Sequence, residues 1–265
     1  MIATTLSAAA FGDDPGHWPL PAARNVEELL LRAVAAGGLG RYSSAQADLT
    51  DLLRREPRGR FASLAMSTRA SFHRQLGWHA RARSWDGRAL AAAGQDSEAG
   101  VDAVIGLAAD ALGLGRLAAS AALLTRATAA LDRAEAPPAR LAIRLAWVSA
   151  ELAMAAGDGP VAQRHAERGV ELSDLALPAL RRHRVKSDVV LAAALCSAGE
   201  LAPARTLADA ALAETHDLGL VPLRWALACL LAGIGSGTHS PAEVARIRDQ
   251  SATFVTRHGG HWSSS

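Results

Sequence analysis

Four residues near the middle of the chain have the types and the spacing of a binding surface. They recur every three or four positions, which places them on one face of a helix, and they are Arg140, Arg144, Trp147 and Glu151. Arginine, tryptophan and glutamate together are poor material for a dry core, whereas tryptophan and arginine are enriched where proteins bind partners. The alternative is a tryptophan packed between helices, with the arginines and the glutamate in salt bridges at its rim.

Motifs for catalysis or cofactor binding are weak. The string Gly113 to Ala118 has the G-x-G-x-x-A pattern of dinucleotide sites, but the residues before it have a helical pattern, and such sites follow a strand. His258 and His261 could suggest a metal, yet no third ligand lies near them in the sequence. No nucleophile elbow, Walker loop or H-E-x-x-H motif occurs. We therefore expect no cofactor, no metal and no enzymatic activity. An enzyme whose acid and base groups meet only in the fold is the less favoured alternative.

The charge balance disfavours nucleic acid and membrane partners. The chain has 28 basic and 26 acidic residues, a formal net charge of +2, so no strong field attracts polyanions. The basic run 181–186 fans around a helix and contains no aromatic residue that could stack on bases. The most apolar stretch, 218–234, is interrupted by Pro222 and Arg224 and is short for a bilayer span.

Cysteine usage and the first residues indicate a cytoplasmic protein. Cys196 and Cys229 lie in apolar helical stretches and form no C-x-x-C pair, which is typical of two buried free thiols in a reducing compartment. The first residues also lack the basic segment and apolar core of a secretory signal.

The elements that must position these side chains form a repeat. Hydrophobic residues make up 50% of the chain and aromatic residues 4%, and alanine and leucine are strong helix formers, so the composition predicts an all-α fold. Alanine lies seven residues before each of five glycines, and alanine or serine lies five residues after each. These glycines are Gly40, Gly77, Gly115, Gly157 and Gly199. Because glycine readily takes the left-handed backbone that ends a helix, each one predicts a tight turn between two closely packed helices.

We predict helix pairs around these five turns. Their expected bounds are 26–38 with 42–56, 60–76 with 79–93, 97–113 with 117–134, 138–156 with 160–176, and 179–198 with 202–216. An apolar helix near 219–233 and a capping helix that starts at Ser240 should follow. The domain organisation is then an extended N-terminal arm over 1–24, a helical array over 25–217, two C-terminal helices within 218–258, and a flexible tail over 259–265.

The first turn carries a resemblance to a known family. Leu39 to Ala45 has the pattern L-G-x-Y-x-x-A and resembles the tetratricopeptide repeat, as does the stretch from Leu76 to Ala82. The resemblance covers about 25–217 and implies a right-handed α-solenoid of about five helix pairs with C-terminal capping helices. The glycine spacings of 37 to 42 residues exceed the usual period of about 34 and are similar to those of longer repeats in bacterial regulators. A HEAT-type array is the rival, but it does not explain the first pattern.

The resemblance also implies where a ligand would lie. In the tetratricopeptide family the first helix of each pair lines a concave groove that holds the ligand. Position from each glycine places Ser67, Ser71, Arg74, Gln75, Asp102, Arg144, Trp147, Glu151 and Lys186 in the implied partner-binding groove. Arg140 is added because it extends the stripe of Arg144, Trp147 and Glu151 by one helical turn.

The expected function is a non-catalytic, regulatory adaptor or scaffold that holds a protein or peptide in this groove. The alternative is a module that senses a small molecule or peptide and regulates transcription through a partner protein. Self-association is compatible with both, because the 219–233 helix with Trp225 could dock on a second copy as a homodimer. If the 1–24 arm always filled the groove, the simple form of the adaptor hypothesis would fail.

Overall fold

The computed structural model describes residues 2–263, which fold into thirteen α-helices without a β-strand. The predicted all-α fold is confirmed for this part of the chain. No helix within it has the length and apolar character needed to cross a bilayer. The helices are α1 (Ile2–Phe11), α2 (Val26–Gly38), α3 (Tyr42–Arg55), α4 (Arg60–Gln75), α5 (His79–Ala93), α6 (Ser97–Gly113), α7 (Leu117–Asp132), α8 (Ala139–Ala155), α9 (Gly159–Asp174), α10 (Arg181–Ser197), α11 (Leu201–Asp217), α12 (Val221–Ile234) and α13 (Pro241–Arg257).

Consecutive helices from α2 onward pack as pairs, from α2 with α3 through α12 with α13. The predicted bounds of α2 to α11 differ from the observed ones by at most two residues. The five repeat glycines all have positive φ, for example 78° at Gly40 and 86° at Gly77, which confirms the predicted turns. Gly235 also has positive φ, at 84°, but it begins a longer connection between α12 and α13.

Small buried residues allow the helices of the array to approach closely. The alanines seven residues before the repeat glycines, such as Ala33 and Ala150, are all fully buried, and so are the small residues five positions after them, such as Ala45 and Ser120. The first helix of each pair also packs on the first helix of the next pair, from α2 to α12. These first helices therefore form one continuous inner layer.

The array closes back on its first pair. Leu39 in the first turn shares a buried cluster with Val185 of α10 and Leu220 before α12. The backbone N–H of Ser43 donates a hydrogen bond to the carbonyl of His258 over 2.7 Å. The last pair thus contacts the first, and the inner layer faces a confined space.

The prediction of an extended arm over 1–24 is wrong for residues 2–11, which form α1 and pack against α2. Alanine and leucine favour the helix here, and Leu6, Ala9 and Ala10 provide a buried face. The helix breakers begin only at Gly12, which ends α1. The carbonyls of Phe11 and Gly12 accept hydrogen bonds from the N–H groups of Leu180 and Arg181, so α1 links α2 to the start of α10.

The C-terminal segment also differs from the prediction. Ser240 caps α13 as expected, with its side chain accepting from the Glu243 N–H. Residues 259–263 do not extend freely, because the Ser263 N–H donates to the carbonyl of Leu76 over 2.8 Å. Trp262 lies 4.2 Å from Trp225 between ring centroids, so the tryptophan expected to meet a second copy is packed within the chain. Residues 264–265 of the predicted tail lie outside the described residues.

Candidate functional site

A cavity of about 430 Å³ opens on the inner layer, among the N-terminal halves of four first helices. Phe11 at the end of α1 and Leu180 before α10 complete its lining, and Thr68 of α4 adds a hydroxyl. One wall is apolar because α2 and α4 both turn core-type side chains toward it. This wall consists of Leu30, Leu31, Val34, Phe61 and Leu64.

The cavity lining also carries charges that pair across neighbouring first helices. Glu98 of α6 accepts hydrogen bonds from Arg60 of α4 over 2.5 Å and from Arg140 of α8 over 2.6 Å. Arg140 also donates to Asp102 over 3.0 Å. These four residues, which we call the rim set, therefore link α4, α6 and α8 along the cavity.

The pairing favours the ionised form of Glu98. Burial raises the pKa of Glu98, but the hydrogen bonds from Arg60 and Arg140 outweigh it and hold the pKa below its ordinary value. The Arg140 guanidinium lies 5.6 Å from the centroid of the Phe11 ring, which further restricts its position. The cavity thus combines an apolar wall with an immobilised ionic edge.

Deeper in the inner layer, a second arginine joins two carboxylates without reaching the cavity lining. Arg74 of α4 donates to Asp110 of α6 over 2.8 Å and forms an ion pair with Asp86 of α5. Both carboxylate residues are fully buried. We call Arg74, Asp86 and Asp110 the deep set, and its geometry ties three helices together.

The deep set has an unusual protonation balance. Burial raises the pKa of Asp86 to about 7, opposed by Arg74 and assisted by the negative charge of Asp110. Space for Asp86 exists because residue 106 is a glycine. A Cβ on Gly106 would lie 2.3 Å from Oδ2 of Asp86, closer than any real contact.

Two residues of the predicted stripe on α8, Arg144 and Trp147, have partners within the chain. Arg144 forms an ion pair with Asp102, and burial together with the charge of Arg74 lowers the Arg144 pKa to about 10. Trp147 donates from Nε1 to the Ser187 hydroxyl over 2.9 Å and stacks on His183 with centroids 5.5 Å apart.

The remaining predicted groove residues have internal partners or lie beneath the surface. Glu151 is 3.4 Å from Lys186 across α8 and α10. The Ser71 hydroxyl donates to the carbonyl of Thr68, and Ser67 is buried. Gln75 accepts a hydrogen bond from the Tyr42 hydroxyl over 2.8 Å. Of the ten predicted residues, the structure brings Asp102 and Arg140 to the cavity lining.

Sequence reasoning missed the apolar wall, Phe11 and half of the rim set. A signal for the rim set exists, since Arg60, Glu98 and Arg140 each lie 17 residues before a repeat glycine and alternate in charge. Equivalent positions on stacked helices lie side by side, so this alternation predicts ion pairs between neighbours. Arg182 of α10 has the same offset, but it reaches the carbonyls of Ala10 and Val34 instead of a carboxylate.

Metal binding receives no support within residues 2–263, where no group of three His, Cys, Asp or Glu side chains is arranged to hold an ion. His258, considered above as a possible ligand, instead has its Nδ1 atom 2.8 Å from the carbonyl oxygen of Phe254.

No protein-family model matches the chain, and neither a curated protein nor a solved structure matches it.

Proposed function

We propose that this chain is a non-catalytic, regulatory binding protein that holds a segment of a partner protein or a peptide in the cavity of its inner layer. The single observation that carries the proposal is the cavity itself, which is lined by both the apolar wall and the paired charges of the rim set. In our interpretation the stacked pairs are a tetratricopeptide-like right-handed solenoid, in which first helices line the ligand groove.

The dimensions and chemistry of the cavity suit a peptide anchored by apolar side chains. Its volume of about 430 Å³ falls within the range of protein ligand sites. The wall from Leu30 to Leu64 would bury a leucine- or phenylalanine-type side chain, and the rim set would meet the polar groups of the peptide backbone. Because ion pairs already hold the rim side chains, binding would immobilise few further rotamers.

The state of the acidic groups favours binding over catalysis. Glu98 and Asp102 are each paired with two arginines, and the lowered pKa of Glu98 opposes proton transfer by that residue. Asp86 has a pKa near neutrality, but its side chain is fully buried in the deep set, where a substrate has no access.

A peptide selection with a cavity-filling variant tests the proposal. Peptides selected from a random displayed library on the immobilised chain would be labelled and titrated by fluorescence anisotropy. Thr68→Trp places a large ring at a half-buried position of the cavity lining. We expect selected peptides to share an apolar anchor and to bind Thr68→Trp at least about tenfold more weakly, since the anchor loses its burial.

Leu201→Trp is the matched control. Leu201 is 40% exposed at the start of α11, remote from the cavity lining, so this variant introduces the same ring without filling the site. Equal peptide binding by wild type and by Leu201→Trp is expected. Equal binding by Thr68→Trp, or selection of no consensus at all, would show that the cavity is not the peptide site.

A small-molecule sensor acting through a partner is the second candidate, favoured by the same cavity volume. The two variants distinguish it from peptide recognition. A compound that raises the melting temperature of wild type and Leu201→Trp but not of Thr68→Trp, with no peptide consensus, would favour this candidate.

A further inference from the structure

The outer side of the second helix pair carries arginines and tryptophans in alternation. Trp78, Arg81, Trp85 and Arg88 follow one another at intervals of three, four and three residues, which places them on one face of α5. The Arg81 guanidinium lies 4.2 Å from the centroid of the Trp78 ring, and that of Arg88 lies 4.3 Å from Trp85. Arg69 of α4 also lies over Trp85, at 4.7 Å. We call these five residues the outer stripe.

The positive charges of the outer stripe are not neutralised by the chain. Among residues 2–263, no carboxylate forms an ion pair with Arg69, Arg81 or Arg88, in contrast to the arginines of the rim and deep sets. Burial and the nearby charge of Arg88 lower the pKa of Arg69. Burial, Arg81 and Arg69 likewise lower the pKa of the neighbouring His73. Like charges thus face one another here, and a bound anion would relieve their repulsion.

The stacking geometry favours carboxylates over nucleic acid as the source of that anion. Aromatic residues that bind single strands do so by stacking bases on their faces, but the faces of Trp78 and Trp85 already contact guanidiniums of the chain. The stacked guanidiniums of Arg81 and Arg88 belong to exposed residues, so their N–H groups can pair with a carboxylate in a bidentate manner. Arg69 is partly buried and donates from Nη2 to the Thr50 hydroxyl over 2.8 Å, so it adds mainly its positive charge to the surface.

We propose that the outer stripe docks an acidic segment of a partner protein through charge-complementary pairs with Arg69, Arg81 and Arg88. The stripe spans ten residues of α5, or roughly 15 Å, which suits a segment with acidic residues about one helical turn apart. This surface is separate from the cavity, because none of its residues lines it. One chain can therefore hold two partners, or two parts of one partner.

The test uses a fluorescein-labelled octaglutamate peptide, titrated with the full chain by fluorescence anisotropy. The stripe variant is Arg81→Glu/Arg88→Glu. The matched control is Arg126→Glu/Arg133→Glu, which changes two exposed arginines at the same spacing on α7 and its cap, both without an ion pair in the described chain. We expect the stripe variant to weaken binding at least about tenfold and the control to change it less than about twofold. Binding by wild type should weaken between 50 and 200 mM salt, as roughly expected for exposed charges.

Two results would overturn the proposal. One is that octaglutamate does not bind, or that both double variants lose binding equally. An equal loss would show that only the net charge of the chain matters. The other is tighter binding of a labelled eight-nucleotide oligothymidine at the same salt concentration, lost in the stripe variant, which would assign the surface to nucleic acid. Arg81→Gln/Arg88→Gln keeps the test valid if the charge reversal impairs folding, and circular dichroism checks each variant. Thr68→Trp should bind octaglutamate like wild type, which separates this proposal from the cavity site.

Discussion

The rim set and the deep set use the same chemistry for different ends. In each, an arginine lies between two carboxylates. Arg140 lies between two carboxylates of α6, and Arg74 between one of α5 and one of α6. The carboxylates of the deep set are fully buried, whereas Arg60 at the outer end of the rim set has 42% of its side chain exposed. Charged residues on an inner helix face therefore do not by themselves mark a ligand site. The rim set lines a cavity, whereas the deep set only holds helices together, and this is the difference that marks a candidate site.

The largest effect should come from removing the arginine of the deep set. Arg74→Met leaves Asp86 and Asp110 buried without their cation, and we expect the free energy of unfolding to fall by about 3–5 kcal/mol. Urea unfolding followed by circular dichroism measures the change.

Arg60→Met in the rim set is the control for Arg74→Met. Its exposed guanidinium is well hydrated, so the loss of its pairs with Glu98 and Asp96 should cost about 1 kcal/mol or less. If the two variants lose equal stability, the proposed difference between a structural set and a site-lining set is wrong.

The next effect concerns the glycine that makes room for the deep set. Gly106→Ala should destabilise the chain by about 1–3 kcal/mol, because the new Cβ would collide with the Asp86 carboxylate. Alanine at an unobstructed helix position normally stabilises instead.

Gly87→Ala supplies that comparison within the partner helix. Gly87 lies in α5 with no atom within 4 Å of an added Cβ, so its replacement should stabilise the chain by about 0.5–1 kcal/mol. If thermal unfolding shows that Gly106→Ala lowers the stability and Gly87→Ala raises it, the result supports close packing around Asp86 in the deep set. A stabilising Gly106→Ala would show that Asp86 can move away at little cost.

The repeat made most of the fold predictable. A glycine at each turn indicates the left-handed backbone there, and a small residue at two fixed offsets indicates close packing of helices. Both patterns are visible in a single sequence. The prediction missed the helix over residues 2–11 because the helix-breaking residues from Gly12 onward favoured an extended arm. The burial of Leu6 depends on distant helices, so the sequence does not show it. The packed course of 259–263 likewise depends on partners such as Leu76, almost 200 residues earlier in the chain.

The candidate site was less predictable, because access is a tertiary property. Of the predicted residues, Arg140 and Asp102 reach the cavity lining, but the prediction treated Arg74 and Arg144 as equivalent to them. The sequence does not show which arginine meets buried carboxylates and which meets a cavity. Leu31 and Phe61 resemble ordinary core residues, and only the spacing of α2 and α4 leaves a cavity beside them.

A dependence on pH sharpens the comparison further. Because the folded-state pKa of Asp86 is raised to about 7, the folded chain keeps a proton between about pH 4 and 7 that the unfolded chain has released. The stability that this proton contributes is complete below pH 4 and is lost as the pH rises through 7. His183 acts in the opposite direction, because burial lowers its pKa and stability falls below about pH 6.5. The contribution of Asp86 must therefore be measured as a difference.

Asp86→Asn isolates that difference, since the amide cannot ionise and His183 is common to both proteins. We expect the unfolding free energy of the variant, relative to wild type, to rise between pH 5 and 7 by up to about 1.4 kcal/mol per pH unit and to level off by pH 8. Glu98→Gln in the rim set should give a flat difference over the same range, because the Glu98 pKa is lowered and its titration lies at more acidic pH. If the difference for Asp86→Asn is also flat, the deep set is fully ionised at pH 5. Burial alone would then not make its carboxylates ionise at a different pH from those of the rim set.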